Sequence, residues 1–237
     1  MAQCNNGPRA RYEEGCSMIE VRNLTKIFNR GKFNETVAVS DISLKIKDKS
    51  IVALTGPSGC GKTTLLSMMS LILTPTSGEI LYDGDNLLSG SDNFKTNFRR
   101  MNFGFIFQHI NLLPQYTTIE NILLPLYAFD AEPKEYEERA YSWLKKLGIY
   151  DRATHLVEQL SGGEQQRAAF VRALIREPKY IFADEPTVFV DEETSRIIYR
   201  IFMELREAGK TIVLSTHDPE LIKVADEVYK IKRGSLA

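Results

Sequence analysis

The chain has 237 residues, of which 43% are hydrophobic and 26% are charged, and its formal net charge is −1 at pH 7. A charge this close to zero argues against a general nucleic-acid binder or a basic membrane-surface protein, so we expect no nucleic-acid partner. The three cysteines lack metal-ligand spacing and favour a reducing compartment such as the cytoplasm.

Residues 1–17 contain no apolar stretch, and we expect them to form a disordered extension. The first patterned segment begins at Met18, so a single folded unit is expected over residues 18–237. The longest nearly apolar run, residues 65–73, is much shorter than the roughly 20 residues that a membrane-spanning helix needs.

Short β-rich segments dominate the first part of the chain. A glycine-rich turn and an apolar helix that ends near Pro75 follow the third of them. The predicted strands are 19–24, 37–46, 51–55, 79–82 and 103–107.

The second part of the chain begins with a helical block and then alternates strands and helices. The block, at about 109–178, is too long for one crossover connection and is expected to be an inserted helical subdomain. Alternating strands and helices predict an α/β fold with a mainly parallel sheet covered on both faces. The segments after the block are strands 180–183, 211–215 and 228–231 and helices 191–208 and 219–225.

A glycine-rich phosphate loop lies between the third predicted strand and its helix, the context that the G-x-x-x-x-G-K-[ST] pattern requires. Backbone N–H groups of 58–64 are expected to surround the α- and β-phosphates of ATP. Lys62 would reach the β- and γ-phosphates, and the Thr63 hydroxyl would bind Mg²⁺. The predicted ATP-binding residues here are Gly56, Pro57, Ser58, Gly59, Cys60, Gly61, Lys62, Thr63 and Thr64.

Two carboxylates, Asp184 and Glu185, end the apolar run that begins at Ile181. Ligands bind at the carboxyl ends of strands in open α/β sheets. We expect Asp184 to hold Mg²⁺ and Glu185 to orient or deprotonate the attacking water. An acidic pair at a strand end is more often a solvated turn, and the phosphate loop upstream is what favours the catalytic interpretation.

A second candidate anion site lies at the start of a predicted helix. Ser161 and Glu164 have the spacing of a capping box, and Gly162 and Gly163 leave the amides of the first turn uncovered. One phosphate-binding helix end already serves the nucleotide, so this second one indicates a nucleotide carried by another chain. The alternative is an ordinary capped helix, which does not require two glycines at this place.

Two single polar residues follow predicted strands. Gln108 is placed where its amide oxygen could reach Mg²⁺ and the water, and His217 where it could contact the γ-phosphate. His109 and His155 keep a structural interpretation. The thiol of Cys60 is expected to be reactive towards a maleimide and protected by Mg-ATP, because it lies among the amides of a helix N-terminus.

In this order the motifs closely resemble those of the ABC-transporter ATPase family. The stretch 56–63 resembles the Walker A loop, Gln108 the Q-loop, 160–167 the signature and 180–185 the Walker B strand. Asp191 resembles the D-loop aspartate and His217 the switch histidine. Phe28 resembles the aromatic that stacks on adenine, with Ala38 as its neighbour.

The resemblance implies a RecA-like P-loop core with an N-terminal antiparallel β subdomain and an inserted helical subdomain. It also implies a homodimer that sandwiches two ATP molecules, each contacted in trans by Ser161, Gly162, Gly163, Glu164 and Asp191. The implied membrane partner is an integral permease that docks near residues 108–127. The chain would then lie at the inner face of the cell membrane as a peripheral cytoplasmic subunit.

Within the family, residues 121–127 and 183–187 look most like the macrolide-exporter, lipoprotein-release and antimicrobial-peptide-resistance branch. The chain departs from the family at Val188-Phe189-Val190, where a glycine and a small or amide residue are usual. A β-branched valine resists backbone angles that a glycine can take, so one hypothesis is that the loop slows basal hydrolysis. Two other functions remain open. One is a mechanical or regulatory ATPase that moves no substrate, and the other is a pseudo-ATPase, which the presence of Glu185 and His217 disfavours.

Overall fold

The computed structural model describes residues 18–128, 133–188 and 190–237. The expected extension 1–17 and Phe189 lie outside the described residues. The strands are β1 (Met18–Phe28), β2 (Thr36–Lys47), β3 (Ile51–Thr55), β4 (Ser77–Tyr82), β5 (Asp85–Asn86), β6 (Phe103–Ile106), β7 (Tyr180–Asp184), β8 (Thr211–Ser215), β9 (Glu227–Lys232) and β10 (Ser235–Leu236). The α-helices are α1 (Lys62–Met69), α2 (Asp92–Asn102), α3 (Thr118–Leu123), α4 (Pro133–Lys146), α5 (Gly162–Leu174), α6 (Glu192–Glu207) and α7 (Pro219–Val224).

The first of two sheets is antiparallel, with strand order β2-β1-β4-β5. In β2 the side chains of Ile42, Leu44 and Ile46 are buried while the residues between them are exposed. This period of two is the pattern of a strand with one face on a core. The sheet is the N-terminal antiparallel β element that the family resemblance implied.

The second sheet has six strands in the order β10-β9-β3-β8-β7-β6, and it is parallel from β9 to β6. All five residues of β7 and all five of β8 are buried, as expected for parallel strands covered on both faces. The register pairs Ser215 of β8 with Leu54 of β3 and Asp184 of β7. The carboxyl ends of β3, β8 and β7 therefore lie side by side.

Alternate residues of the parallel strands enter two separate cores. Ile181 and Ala183 pack among the helices on one face, whereas Tyr180 and Phe182 pack against α1 and the antiparallel sheet on the other. The predicted α/β arrangement with both faces covered is confirmed.

The chain between β6 and β7 contains α3, α4 and α5 among its described residues, where the helical subdomain was expected. Their buried side chains, such as Ile122, Leu144 and Phe170, belong to the same core as Ile181 of the sheet. Helix α2 was not predicted, although Phe94, Phe98 and Met101 recur at helical spacing and Ser91 caps its N-terminus; none of its residues is fully buried. Among the described residues, no helix has the length and apolar character needed to cross a membrane.

Candidate nucleotide-binding site

The phosphate loop leaves β3 at Thr55 and enters α1 at Lys62. Gly56 and Gly61 have φ angles of 144° and 108°. A Cβ on Gly56 would lie 2.2 Å from the Ile231 carbonyl oxygen, and one on Gly61 would lie 2.4 Å from that of Ala38. Only glycine fits at these two positions, since both the backbone angles and the close approach exclude a side chain.

Lys62 is a buried cation whose ammonium is held over the phosphate loop. Its Nζ donates to the Gly56 carbonyl oxygen at 2.8 Å and to that of Pro57 at 3.4 Å. The Glu185 carboxylate lies 3.7 Å from the same Nζ, and both side chains are about nine-tenths buried. Opposite charges in such a place interact more strongly than at the surface.

Thr63 and Asp184 join the phosphate loop to the end of β7. The Thr63 hydroxyl donates to Asp184 Oδ1 at 3.1 Å. The same carboxylate oxygen accepts from the Ser215 hydroxyl at the end of β8. A hydroxyl and a carboxylate are the oxygen ligands that Mg²⁺ prefers, so Thr63 and Asp184 fit the predicted metal site.

Glu185 begins the loop after β7 and contacts His217 in the loop after β8. Glu185 Oε1 lies 3.0 Å from His217 Nδ1. The Glu185 amide donates to the Ser215 carbonyl at 3.0 Å, and Glu185 has a φ of 47°, a left-handed conformation that is uncommon for residues other than glycine. The contact therefore joins a nearly buried carboxylate to a histidine at the cavity whose side chain is 69% exposed.

Lys62, Thr63, Glu185 and His217 border one cavity of about 560 Å³. It brings together most of the cis site residues that the sequence predicted, including Gln108, whose side chain is partly buried. Its lining residues are Thr36, Val37, Ala38, Gly56, Pro57, Ser58, Gly59, Gly61, Lys62, Thr63, Thr64, Gln108, Glu185, Val188 and His217.

Three predicted residues of this region, Phe28, Cys60 and Asp184, are not among the residues that line the cavity. Phe28 pairs with Thr36 across β1 and β2 and has the Lys26 ammonium 5.2 Å from its ring centroid, so the wall on that side is formed by Thr36 and its neighbours. Cys60 is 5% exposed and packs in the core beside Leu65. The expectation of a reactive thiol is therefore corrected: the side chain points into the core, and only the backbone of Cys60 belongs to the loop.

The second predicted anion site is the N-terminus of α5. Ser161 caps the helix: its Oγ accepts from the Glu164 amide at 3.3 Å, and Glu164 Oε2 accepts from the Ser161 amide at 2.8 Å. Arg152 Nε donates to Glu164 Oε1 at 2.7 Å. The bond from Arg152, followed by the backbone bond from Ser161, lowers the pKa of Glu164 to about 2. A Cβ on Gly162 would meet no atom within 4 Å, so the first turn is open.

Asp191 lies beside this helix start in the same chain. It caps α6 by accepting from the Thr194 amide at 2.7 Å, and a Cβ on Gly163 would lie 3.4 Å from Asp191 Oδ2. Arg167 of α5 donates to the Thr194 hydroxyl. The five residues predicted to act in trans therefore form one surface cluster, separate from the residues that line the cavity.

Sequence reasoning missed Ser215, Thr36 and Val37 as contributors to the cavity region, and it identified Val188 only as a departure from the family. Ser215 positions Asp184, but a serine at the end of a buried strand carries no motif. Thr36 and Val37 line the cavity because β2 starts there, and the alternating pattern of β2 indicates only a strand with one buried face. The one sequence feature that could indicate Thr36 and Val37 is that they directly precede Ala38, a predicted ATP-binding residue.

A parallel α/β sheet with a phosphate loop and an acidic pair at neighbouring strand ends defines a P-loop nucleotide-binding protein. The profile of the ABC transporter family matches residues 39–188, which is more than half of the chain. The chain belongs to the ABC transporter family, as the motif resemblance predicted, and is an ATP-binding, ATP-hydrolysing subunit.

Curated relatives and a solved structure agree with this assignment. The chain is 42% identical to the uncharacterized ABC transporter ATP-binding protein MJ1508 of Methanocaldococcus jannaschii, over 92% of this chain and 97% of the relative. It is 37% identical to the lipoprotein-releasing system ATP-binding protein LolD of Bacteroides thetaiotaomicron, over 92% and 99%. The ATP-binding cassette MJ0796, solved as a dimer in a post-hydrolysis state bound to ADP and Pi, superposes with a TM-score of 0.86 at 35% identity, over 92% and 96%. The likeness to LolD confirms the predicted branch.

Proposed function

We propose that the cavity binds Mg-ATP and that Glu185 activates the water that attacks the γ-phosphate, with His217 holding the carboxylate in place. The observation that carries this proposal is the 3.0 Å contact between Glu185 Oε1 and His217 Nδ1 at the rim of the phosphate-loop cavity. A general base has to be held within hydrogen-bond reach of its water by groups that do not move.

The phosphate loop supplies the binding energy in this proposal. Amides of residues 58–64 at the start of α1 surround the α- and β-phosphates, and the Lys62 ammonium turns from the Gly56 carbonyl to the β- and γ-phosphates. Thr63, Asp184 and Gln108 hold Mg²⁺, which neutralises phosphate charge when bound. Phe28 and Ala38 form the adenine side of the site.

Glu185 lies where a general base for ATP hydrolysis is needed. Its carboxylate is nearly buried but lies 3.7 Å from the Lys62 ammonium and 3.0 Å from His217. The carboxylate can therefore accept the proton of a water placed against the γ-phosphate.

The subunit works as a homodimer in which the cluster of Ser161, Gly162, Gly163, Glu164 and Asp191 completes the partner's site. The open first turn of α5 offers amides and the positive end of the helix to an anion. The cassette MJ0796, which shares 35% identity, is dimeric with ADP and Pi bound. Two such clusters facing two cavities give a symmetric pair of composite sites.

A groove of about 560 Å³ beside Gln108 is the docking site for the integral permease, which would keep the chain at the inner face of the cell membrane. Phe105 and Phe107 stack in its wall with centroids 5.6 Å apart, beside Leu124 and Pro125. An apolar floor with a basic edge suits a short amphipathic helix of the membrane protein. The helical segment at about 109–178 forms the subdomain that receives it.

The test is Glu185→Gln, compared with the exposed Glu207→Gln as a matched control. Loss of the base should lower Mg-ATPase activity by at least about 100-fold while ATP binding persists. Size-exclusion chromatography with Mg-ATP should show the Glu185→Gln chain as a dimer, and the Glu207→Gln chain should retain wild-type turnover. Wild-type activity in Glu185→Gln, or a monomer both alone and with the permease, would overturn the proposal.

A further inference from the structure

We propose that Tyr199 is a positioning residue for ATP hydrolysis, which acts through the Asp218 carboxylate to hold the loops of Glu185 and His217 together. This inference rests on the proposed roles of those two residues. It assigns a task to a helix residue that belongs to none of the motifs of the chain.

One carboxylate oxygen is shared by two side chains from different elements. Asp218 Oδ2 accepts from the Tyr199 hydroxyl of α6 at 2.5 Å and from the Thr187 hydroxyl at 2.8 Å. Asp218 Oδ1 accepts from the Glu220 amide at 2.9 Å and so caps α7. The carboxylate thus connects the loop after β7, the loop after β8 and two helices.

The chain positions explain why this connection bears on catalysis. Thr187 lies two residues after Glu185, and Asp218 directly follows His217. A bond between Thr187 and Asp218 therefore closes a small ring through the Glu185–His217 contact of 3.0 Å. Movement of either loop would lengthen that contact.

The Glu185 loop needs such a restraint from outside. Glu185 has a φ of 47°, and a residue other than glycine persists in that region when its surroundings determine it. On the strand side the Glu185 amide is bonded to Ser215. Beyond Glu185, two side-chain contacts hold the loop: the Thr187–Asp218–Tyr199 connection and the Gln166 amide, which donates to the Pro186 carbonyl at 3.4 Å.

The charges show that the connection is made with an ionised carboxylate. Burial by itself raises the pKa of Asp218, but the hydrogen bonds from Tyr199 and Thr187 lower it below the usual aspartate range. Burial and the bond to Asp218 raise the pKa of Tyr199 to about 12, so its hydroxyl keeps the proton that it donates. Hydrogen bonds to a charged acceptor are roughly twice as strong as neutral ones.

The experiment measures steady-state Mg-ATPase kinetics of the full chain, alone and with its permease. Tyr199→Phe and Thr187→Val each delete one donor, and Thr187→Ser restores one. The Tyr229→Phe control deletes a similar hydroxyl that donates to Lys45 O and Glu227, on the far strand β9. We expect kcat to fall about tenfold in the two deletions, with KM for ATP within about twofold of wild type, because small misplacements of a base act mainly on the chemical step.

Thr187→Ser should recover most of the lost kcat, and Tyr229→Phe should leave kcat unchanged. Combining Tyr199→Phe with Thr187→Val should cost less than the product of the two single losses, since both act through one carboxylate. Unchanged kcat in both deletions, or losses that multiply, would overturn the proposal. If Tyr199→Phe lowers the midpoint of thermal unfolding so far that the variant cannot be assayed, the comparison of kcat between Thr187→Val and Thr187→Ser tests the proposal instead.

The proposed function fails separately from this inference. A wild-type chain without Mg-ATPase activity, or one insensitive to Glu185→Gln, contradicts the roles of Glu185 and His217. An active wild type with normal Tyr199→Phe and Thr187→Val variants contradicts the positioning role alone.

Discussion

Arg152 and Glu164 form a short ion pair, with Nε 2.7 Å from Oε1, at the start of α5. Glu164 also closes the capping box with Ser161. The ion pair therefore connects the first turn of α5 to Arg152, which lies in the segment before the helix. The pKa of Glu164 is about 2 in the folded chain against an ordinary value of 4.5. This difference makes the stability of the signature region depend on pH.

Glu164→Gln removes the charge while keeping a side chain that can close a capping box. Since the folded pKa is depressed, the carboxylate contributes its full stability above about pH 4.5 and loses it as the pH falls towards 2. Arg152 is 44% exposed, so solvent screening limits the difference at pH 7 to about 1 kcal/mol, or roughly 2–4 °C in Tm. Calorimetry from pH 7 to pH 3 should show the gap between wild type and variant closing below pH 4.5. A constant gap would contradict the assignment.

The thiol of Cys60 should be inert in the folded chain, because it is 5% exposed and packs in the core. In a background where Cys4 and Cys16 are changed to serine, a maleimide should label Cys60 slowly and at the same rate with and without Mg-ATP. Denaturation in urea should make labelling fast, which serves as the positive control. Fast labelling of the native chain that Mg-ATP blocks would instead support the reactive thiol expected from the sequence.

The phosphate loop and the strand-end carboxylates could be predicted because each is a local pattern in a defined context. Lys62 and Thr63 follow from spacing after a strand, and Asp184 and Glu185 from an apolar run that ends in two charges. Ligands bind at the carboxyl ends of strands in such sheets, so a local pattern at a strand end is enough to propose a site residue there.

The contacts between those patterns could not be predicted, because they depend on the order of strands in the sheet. β8 lies between β3 and β7 although it comes last of the three along the chain. That order sets Ser215 against Asp184 and His217 against Glu185, across 31 and 32 residues of sequence. The sequence predicts Tyr199 only as part of a helix, since no local pattern marks a hydroxyl that donates to Asp218, 19 residues away.

Val188 lines the cavity, and its amide donates to the Glu185 carbonyl at 3.3 Å, so it lies in the turn that carries the proposed base. Phe189, the other part of the unusual loop, lies outside the described residues. If the loop slows hydrolysis, Val188→Gly should raise basal ATPase by about threefold, which corresponds to less than 1 kcal/mol in the barrier. Val188→Ala is the matched control, because it removes bulk but keeps the backbone restriction of a Cβ. If the loop tolerates valine, the basal ATPase rate will be the same in wild type, Val188→Gly and Val188→Ala. An equal rise in both variants would show that the size of the side chain, and not the backbone restriction, slows hydrolysis.

Lys62→Ala and Ser161→Ala should complement each other when the two chains are mixed. Each variant alone carries a lesion in both composite sites of its homodimer, and we expect each to be inactive, with activity down at least about 100-fold. A mixed dimer holds one site with both lesions and one site with neither, because Lys62 lies in the cavity while Ser161 lies in the separate cluster at the start of α5. The measurement is Mg-ATPase activity of an equimolar mixture, with mixed dimers verified by two different affinity tags.

The separation of the two lesions within one chain is what makes this test decisive. Gly163 stands next to Asp191, with 3.4 Å between a Cβ built on the glycine and Asp191 Oδ2, and neither residue lines the cavity at the phosphate loop of the same chain. If that surface acted on the nucleotide of its own chain, each mixed dimer would contain two singly damaged sites and no intact one. The mixture would then be as inactive as its components. Restored turnover of up to about half that of wild type per mixed dimer, with none in a Lys62→Ala plus Lys62→Arg mixture, is the result that action across chains requires.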